Sequence, residues 1–218
     1  MPILETKFDM NYTCYLISNK PHLFEEIQNS IKPETINFFN GANAGSFSRL
    51  VNLCAEACPT EIVIMMSDKM RPVQQDIKKT LDLINQGYAF VGMYRFGFFG
   101  FKKELFRKIG VMDERFKGGG YEDDDFYIRL KEANLSMYLS HEVNYISGES
   151  SWTAEECKKH FGNKWGDVRR TGKAKRYLPE LNYNYNLGPT VPTQFLPWSE
   201  TQIYAKKVKR YLDIELET

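Results

Sequence analysis

The 218-residue chain predicts one α/β domain with a mostly parallel central sheet flanked by helices. Over the first 66 residues, short β-rich runs alternate with helical periodicity in the order β-α-β-α-β. That alternation belongs to a parallel sheet covered by helices. The third β run, Ile62 to Met66, is continuously apolar, as a strand buried on both faces must be. With 42% hydrophobic residues, a chain of this length buries a core without disulfides or a structural metal.

Tyr12 to Ser18 reads as the first strand, stopped by Asn19, Lys20 and Pro21. Phe24, Ile27 and Ile31 recur at helical spacing, and Pro33 closes that helix. Ile36 to Phe39 is a second strand, ending in the turn residues Asn40 to Asn43. Phe47, Leu50, Val51, Cys54 and Ala55 share one face of a helix over Ser46 to Cys58, which Pro59 ends. After the Ile62–Met66 strand, helices are expected over Val73 to Gln86, Lys103 to Ile109 and Glu122 to about Ala133. Tyr88 to Phe101, aromatic and punctuated by glycine, reads as core and cleft wall. Beyond Ser151 the pattern loosens into basic, Tyr/Asn-rich and Pro-rich stretches before a last helix near Glu200 to Leu212. The chain therefore divides into a core over 1–151 and an extension over 152–218 that packs on it. Ligands of such sheets sit at the carboxyl ends of the strands, here Ser18 to Lys20, Asn40 to Gly45 and Ser67 to Lys69.

Composition excludes several classes. Lys and Arg number 29 against 28 Asp and Glu, a balance that does not suit a nucleic-acid binder. No run approaches the ~20 apolar residues of a membrane span. The N-terminus lacks the apolar core of a signal peptide. The four cysteines are too few and too irregular for a secreted scaffold, so they read as free packing thiols of a soluble, cytoplasmic protein. Charge is unevenly spread: Lys158 to Arg176 holds eight basic residues against Asp167 alone. This strip reads either as a lid over a small anion or diphosphate or as a solvated basic face.

The sharpest chemical signal is Phe116 to Leu130, FKGGGYEDDDFYIRL. Glu122 to Asp125 open a helix whose N-terminal dipole stabilises each favourably placed anion by ~0.3–1 kcal/mol. Four adjacent carboxylates nonetheless repel one another, so stability alone does not account for the run. Gly118 to Gly120 let backbone approach a bulky ligand, and Arg129 stands at the pairing distance from Asp125. The plain alternative is a solvated helix start. A calcium loop is excluded, because the run lacks alternating ligands and a central glycine. A carboxylate in a glycine-walled cleft suits a general base.

Arg95 to Gly100 (RFGFFG) followed by FKKELFRKIGVMDERFKGGGYEDDDFYIRL resembles nucleotide-sugar glycosyltransferases of the GT-A fold. It is most similar to the G-W-G-G-E-D-D-D…R-L block of β-1,4-galactosyltransferases, and similar also to the E-D…R block of family-2 transferases. Asn43 to Asp68 resembles the stretch that leads into their metal-binding acidic motif, and His160 to Gly166 (HFGNKWG) their K-W-G segment. The chain also has the general look of compact transferases that large chlorella viruses encode.

The resemblance implies a single GT-A domain with hexosyltransferase activity. A sugar would pass from a UDP-sugar to a hydroxyl of a glycan or glycoprotein acceptor, helped by Mn²⁺ or Mg²⁺. It implies Asp123 as base, hence inversion, with Glu122 beside it; if Asp123 only orients the donor, retention stays open. It implies Ser18, Asn19, Asn40, Asn43, Arg49, Ser67 and Asp68 around the nucleotide, and Asp68 on the metal. Gly119, Gly120, Tyr121, Asp124 and Trp152 would meet donor sugar and acceptor. Two departures stand out: Lys69 replaces the acidic motif's second carboxylate, and Ile146 to Ser150 lacks the family's metal-binding His. His141 and His160 are the substitutes at hand. A sugar-1-phosphate nucleotidyltransferase is the rival enzyme, but its glycine-rich loop after the first strand is missing from Ser18-Asn19-Lys20-Pro21. A glycan-binding pseudoenzyme is the rival from another class.

Overall fold

A computed structural model describes residues 11–18, 20–31, 36–40, 44–146, 155–198, 202–203 and 214–217. The expected alternation is present: β1 (Tyr12–Ser18), α1 (His22–Gln28), β2 (Ile36–Asn40), α2 (Phe47–Ala57) and β3 (Ile62–Ser67). A short β4 (Met70–Arg71) and α3 (Gln74–Asn85) lead to β5 (Phe90–Phe96) and β6 (Phe98–Lys102). Then come α4 (Glu104–Ile109), α5 (Glu122–Glu132), β7 (Met137–Leu139) and β8 (Asn144–Tyr145). The last elements are α6 (Glu155–Trp165), α7 (Val168–Thr171), β9 (Lys173–Ala174), β10 (Gln202–Ile203) and β11 (Glu215–Leu216).

The main sheet runs β10-β7-β5-β6-β3-β1-β2. β6 alone is antiparallel to its neighbours β3 and β5, and the other pairings are parallel. This bears out the α/β class and the mostly parallel sheet. The aromatic stretch read as core and cleft wall is a β5–β6 hairpin, and its alternate residues explain its composition. Phe90, Phe99 and Phe101 face one apolar layer with Phe106 and Phe126, while Val91 and Phe98 face the other with Ile77 and Ile84. Gly100 sits under α3, where a Cβ would come 2.8 Å from Thr80 Cγ2. The last helix expected near Glu200 to Leu212 is not formed at its start, where β10 adds to the edge of β7 instead; residues 204–213 lie outside the described residues.

α2 begins where Ser46 accepts the Arg49 N–H on its hydroxyl, and Leu50, Val51, Cys54 and Ala55 reach the core as their spacing predicts. The four cysteines are free and buried, and burial pushes the Cys14 and Cys54 thiols up. Burial gives them a packing role. The segment over 152–218 contributes directly to the core, since Phe161, Trp165 and Val168 lie in the same apolar cluster as Phe126. No helix among the described residues is long and apolar enough to cross a membrane.

Candidate active site

Three sequence-distant segments meet at the carboxyl end of the sheet through hydrogen bonds and an ion pair. Ser18, last residue of β1, donates its hydroxyl to Asp68 Oδ2 at 3.1 Å and accepts the Lys20 N–H at 2.9 Å. The Lys20 ammonium stands 3.8 Å from the same carboxylate. Parallel register sets Asn40, last residue of β2, opposite Ser18. One strand over, Ser67 N–H donates to Gly97 O at 2.8 Å, tying the end of β3 to the β5–β6 turn. That turn is tight: Gly97 N–H returns to Tyr94 O at 2.8 Å, and Arg95 adopts φ +50°. A non-glycine residue at positive φ is uncommon, and here it aims Arg95 across the cleft into an ion pair with Asp123. Phe47 at the start of α2 packs edge-on against Phe96, and Arg49, two residues on, is exposed.

α5 enters from Gly118, Gly119 and Gly120, all at positive φ, and from Tyr121 at φ +69°. A bulky residue in the left-handed region is strained. Tyr121 is held there by Phe161, with ring centroids 5.2 Å apart, and by the Arg169 guanidinium 4.2 Å above its ring. A Cβ on Gly119 would meet nothing within 4 Å, so the approach to α5 is open.

The four carboxylates divide their labour. Asp125, fully buried, accepts from Arg129 Nε at 3.0 Å and from Trp165 Nε1 at 2.8 Å. Asp124 lies 3.7 Å from Arg169. Asp123 faces Arg95. Glu122 has a buried Oε2 with no hydrogen-bond partner. Burial first, then the charges of Asp123 and Asp124, push the Glu122 carboxyl up to about 7, against opposing backbone N–H groups.

Among the described residues, one set of three candidate ligands lies close enough to share a metal: Asp113, Asp125 and Glu180. Lys164 already fills that space. Its ammonium is 2.9 Å from Asp113, 2.6 Å from Asp125 and 2.7 Å from Glu180. The lysine of the K-W-G segment is thus the cation of this cluster, and the residues do not fit a metal there. Burial alone would raise the Asp113 carboxyl, but Arg115 and Lys164 hold it well below the carboxylate range. Arg129 completes the network by donating to Ile109 O, Gly110 O and Val111 O, the carbonyls at and just after the end of α4.

His160 is engaged in that network, 3.3 Å from Asp113, and its ring packs on Phe116. His141 stacks on Tyr94, bridging at the end of β5. Within the basic strip, Lys164 is buried, and Arg176 lies over the Trp165 ring while pairing with Glu132 and Glu180. These two residues hold the fold and are not part of a solvated face. Asn19, Asn43, Trp152 and the turn over 147–150 lie outside the described residues. Sequence reasoning missed Arg95; an arginine just before Phe-Gly in a hairpin turn carries no local signal of the distant carboxylate it meets.

Residues 85–148 match the family described as the N-terminal domain of galactosyltransferase. The resemblance read from RFGFFG and GGGYEDDD is borne out over that segment. No curated protein matches the chain. Among solved structures, a mutant of Drosophila β-1,4-galactosyltransferase 7 complexed with manganese, UDP-Gal and xylobiose is 16% identical. It aligns with TM-score 0.44 over 68% of this chain and 74% of that one. The catalytic domain of the same Drosophila enzyme with xylobiose is 14% identical, with TM-score 0.45 over 62% and 67%.

Proposed function

We propose that this chain is a glycosyltransferase that moves a sugar from a UDP-sugar to a hydroxyl of a glycan acceptor. The observation that carries this reading is the relay Ser18–Asp68, Ser67–Gly97, Arg95–Asp123. It joins the strand ends suited to a nucleotide diphosphate to the carboxylate suited to a base. The match of residues 85–148 to the galactosyltransferase family supports the same reading.

Ser18, Asn40 and Arg49 would surround the nucleotide, together with Asn19 and Asn43. Asp68 offers one hard carboxylate oxygen beside the diphosphate position. Mg²⁺-type ions are commonly held by one or two carboxylates plus substrate phosphates, so this donor set fits Mn²⁺ or Mg²⁺. Such an ion, when bound, supplies Lewis-acid stabilisation of the departing diphosphate. Lys20 and Lys69 add positive charge to the same end. The acceptor oxygen attacks the anomeric carbon, the bond from that carbon to the diphosphate oxygen breaks, and the hydroxyl proton passes to Asp123. Attack opposite the leaving group inverts the anomeric centre. Arg95 fixes the direction of the Asp123 carboxylate, and Gly119 and Gly120 leave room for the sugars.

Turnover of a panel of UDP-sugars, read as released UDP, tests the proposal. Asp123→Asn should lower turnover by about three orders of magnitude, the middle of the range of general-base effects, and leave UDP affinity within about twofold of wild type. Loss of UDP binding with turnover would count against a base role for Asp123.

A further inference from the structure

A cleft of about 260 Å³ opens beside the start of α5. Its floor is Tyr121, Phe161 and Val168, and Lys158 and Arg169 stand at its rim. The size suits one ring-sized group, just below the roughly 300–1,000 Å³ of drug-sized sites. Gly162 also lines it. Glycine inside a helix is destabilising relative to alanine, and packing does not explain this one, because a Cβ there would meet nothing within 4 Å. The smooth wall beneath the rim is therefore kept at a cost to α6.

The rim is cationic on balance. Asp167, the acid among its described lining residues, pairs with Arg170 Nε at 2.9 Å. Among the described residues, Lys158 pairs with Glu155, four-fifths exposed, at 3.2 Å. Arg169 is more than half exposed and lies 3.7 Å from Asp124, beyond a hydrogen bond. Its guanidinium carbon stands 4.2 Å from the Tyr121 ring centroid, and its exposed side can meet an anion. An apolar wall beside exposed cationic groups matches a sugar that carries a carboxylate or a sulfate.

We infer that this cleft binds an anionic sugar unit of the acceptor, with the apolar wall of Phe161, Gly162 and Val168 along the ring and Arg169 and Lys158 on its charge. The inference rests on the transferase reading for the word acceptor, and on the cleft alone for the preference.

The full chain is titrated calorimetrically with p-nitrophenyl β-D-glucoside, its 6-sulfate and p-nitrophenyl β-D-glucuronide, and with UDP in the same preparations. At least one anionic glycoside should bind about tenfold tighter than the neutral one, the order expected of one or two exposed charge pairs. Whether sulfate or uronate leads identifies the charge. Arg169→Gln should bring the ratio to about one, and Gly162→Leu, which fills open space, should remove binding of all three glycosides while retaining the wild-type melting temperature. UDP affinity should stay within about twofold in both variants. Equal affinities in the wild type, no saturable binding of any glycoside, or an unchanged ratio in Arg169→Gln would each overturn the inference. Failure of the wild type to bind UDP, with the anionic preference intact, would remove the donor reading and leave the cleft assignment standing.

Discussion

Glu122 and Asp123 are adjacent on one helix turn and yet sit in opposite electrostatic settings. Asp123 has Arg95 as its counterion, whereas Glu122 has burial and like charges around a carboxylate oxygen with no hydrogen-bond partner. A carboxyl raised to about 7 in the fold from 4.5 binds more protons folded than unfolded between those values. Its contribution to stability is therefore complete below about pH 4.5 and is lost as pH rises through about 7. Glu122→Gln removes that dependence, so the variant should gain on the wild type by a few kcal/mol at pH 8 and lose the advantage near pH 4.5. Paired thermal melts from pH 4.5 to 8 measure it, and parallel curves would contradict the assignment. Arg95 works at the same scale. Arg95→Ala should reduce turnover by about tenfold or more, as misplaced catalytic groups do, with UDP affinity little changed. Unaltered turnover would mean that the acceptor, and not Arg95, orients Asp123.

Helices and strands follow the sequence closely where periodicity was strong. α2 keeps its capping Ser46 and its apolar face, β3 is buried along Ile62 to Met66, and α5 buries Phe126 and Leu130. β5 and β6 were harder to read, because Tyr88 to Phe101 is apolar on both faces and so shows no alternation. Only pairing with β3 and β7 makes its two strands distinct. Gly100 belongs to that hairpin, under Thr80, Ile64 and Ile84. Gly100→Val should cost about 1–3 kcal/mol, the usual penalty of overpacking, read as a lowered denaturation midpoint; a neutral result would mean that α3 shifts freely on the sheet. The candidate site was legible in part for the same physical reason. Strand ends and an acidic helix start are local features, whereas the Arg95–Asp123 pair and the lysine-filled carboxylate cluster exist only through contacts between distant segments.

At the scale of the whole molecule, Lys164 is the knot. It joins the loop at Asp113, the start of α5 at Asp125, the end of α6 and the C-terminal segment at Glu180. Removing one partner of a buried ion pair costs about 3–5 kcal/mol, because the remaining charges are left unpaired. Lys164→Met should lower the melting temperature by many degrees, and a variant as stable as the wild type would show the cluster to be replaceable. Asp113, held low in the fold, contributes stability above the ordinary aspartate range that is lost as pH falls below about 4. Acid unfolding should therefore begin there, and Lys164→Met should blunt it. This network carries the K-W-G segment's lysine, so part of what resembles the glycosyltransferases in the sequence serves to hold α5 in place.

UDP, GDP and CMP titrated calorimetrically against wild type and Asp68→Ala, each with Mn²⁺ and with EDTA, test the donor site most directly. UDP should bind in preference to the other two, more tightly with Mn²⁺ than with EDTA. Asp68→Ala should weaken UDP about tenfold or more in Mn²⁺ and leave the EDTA value unchanged, the loss of one ligand being worth at least ~1.4 kcal/mol. Binding of none of the three nucleotides by the wild type, or an equal effect of Asp68→Ala in EDTA, would contradict a metal-assisted UDP-sugar site at the end of β3.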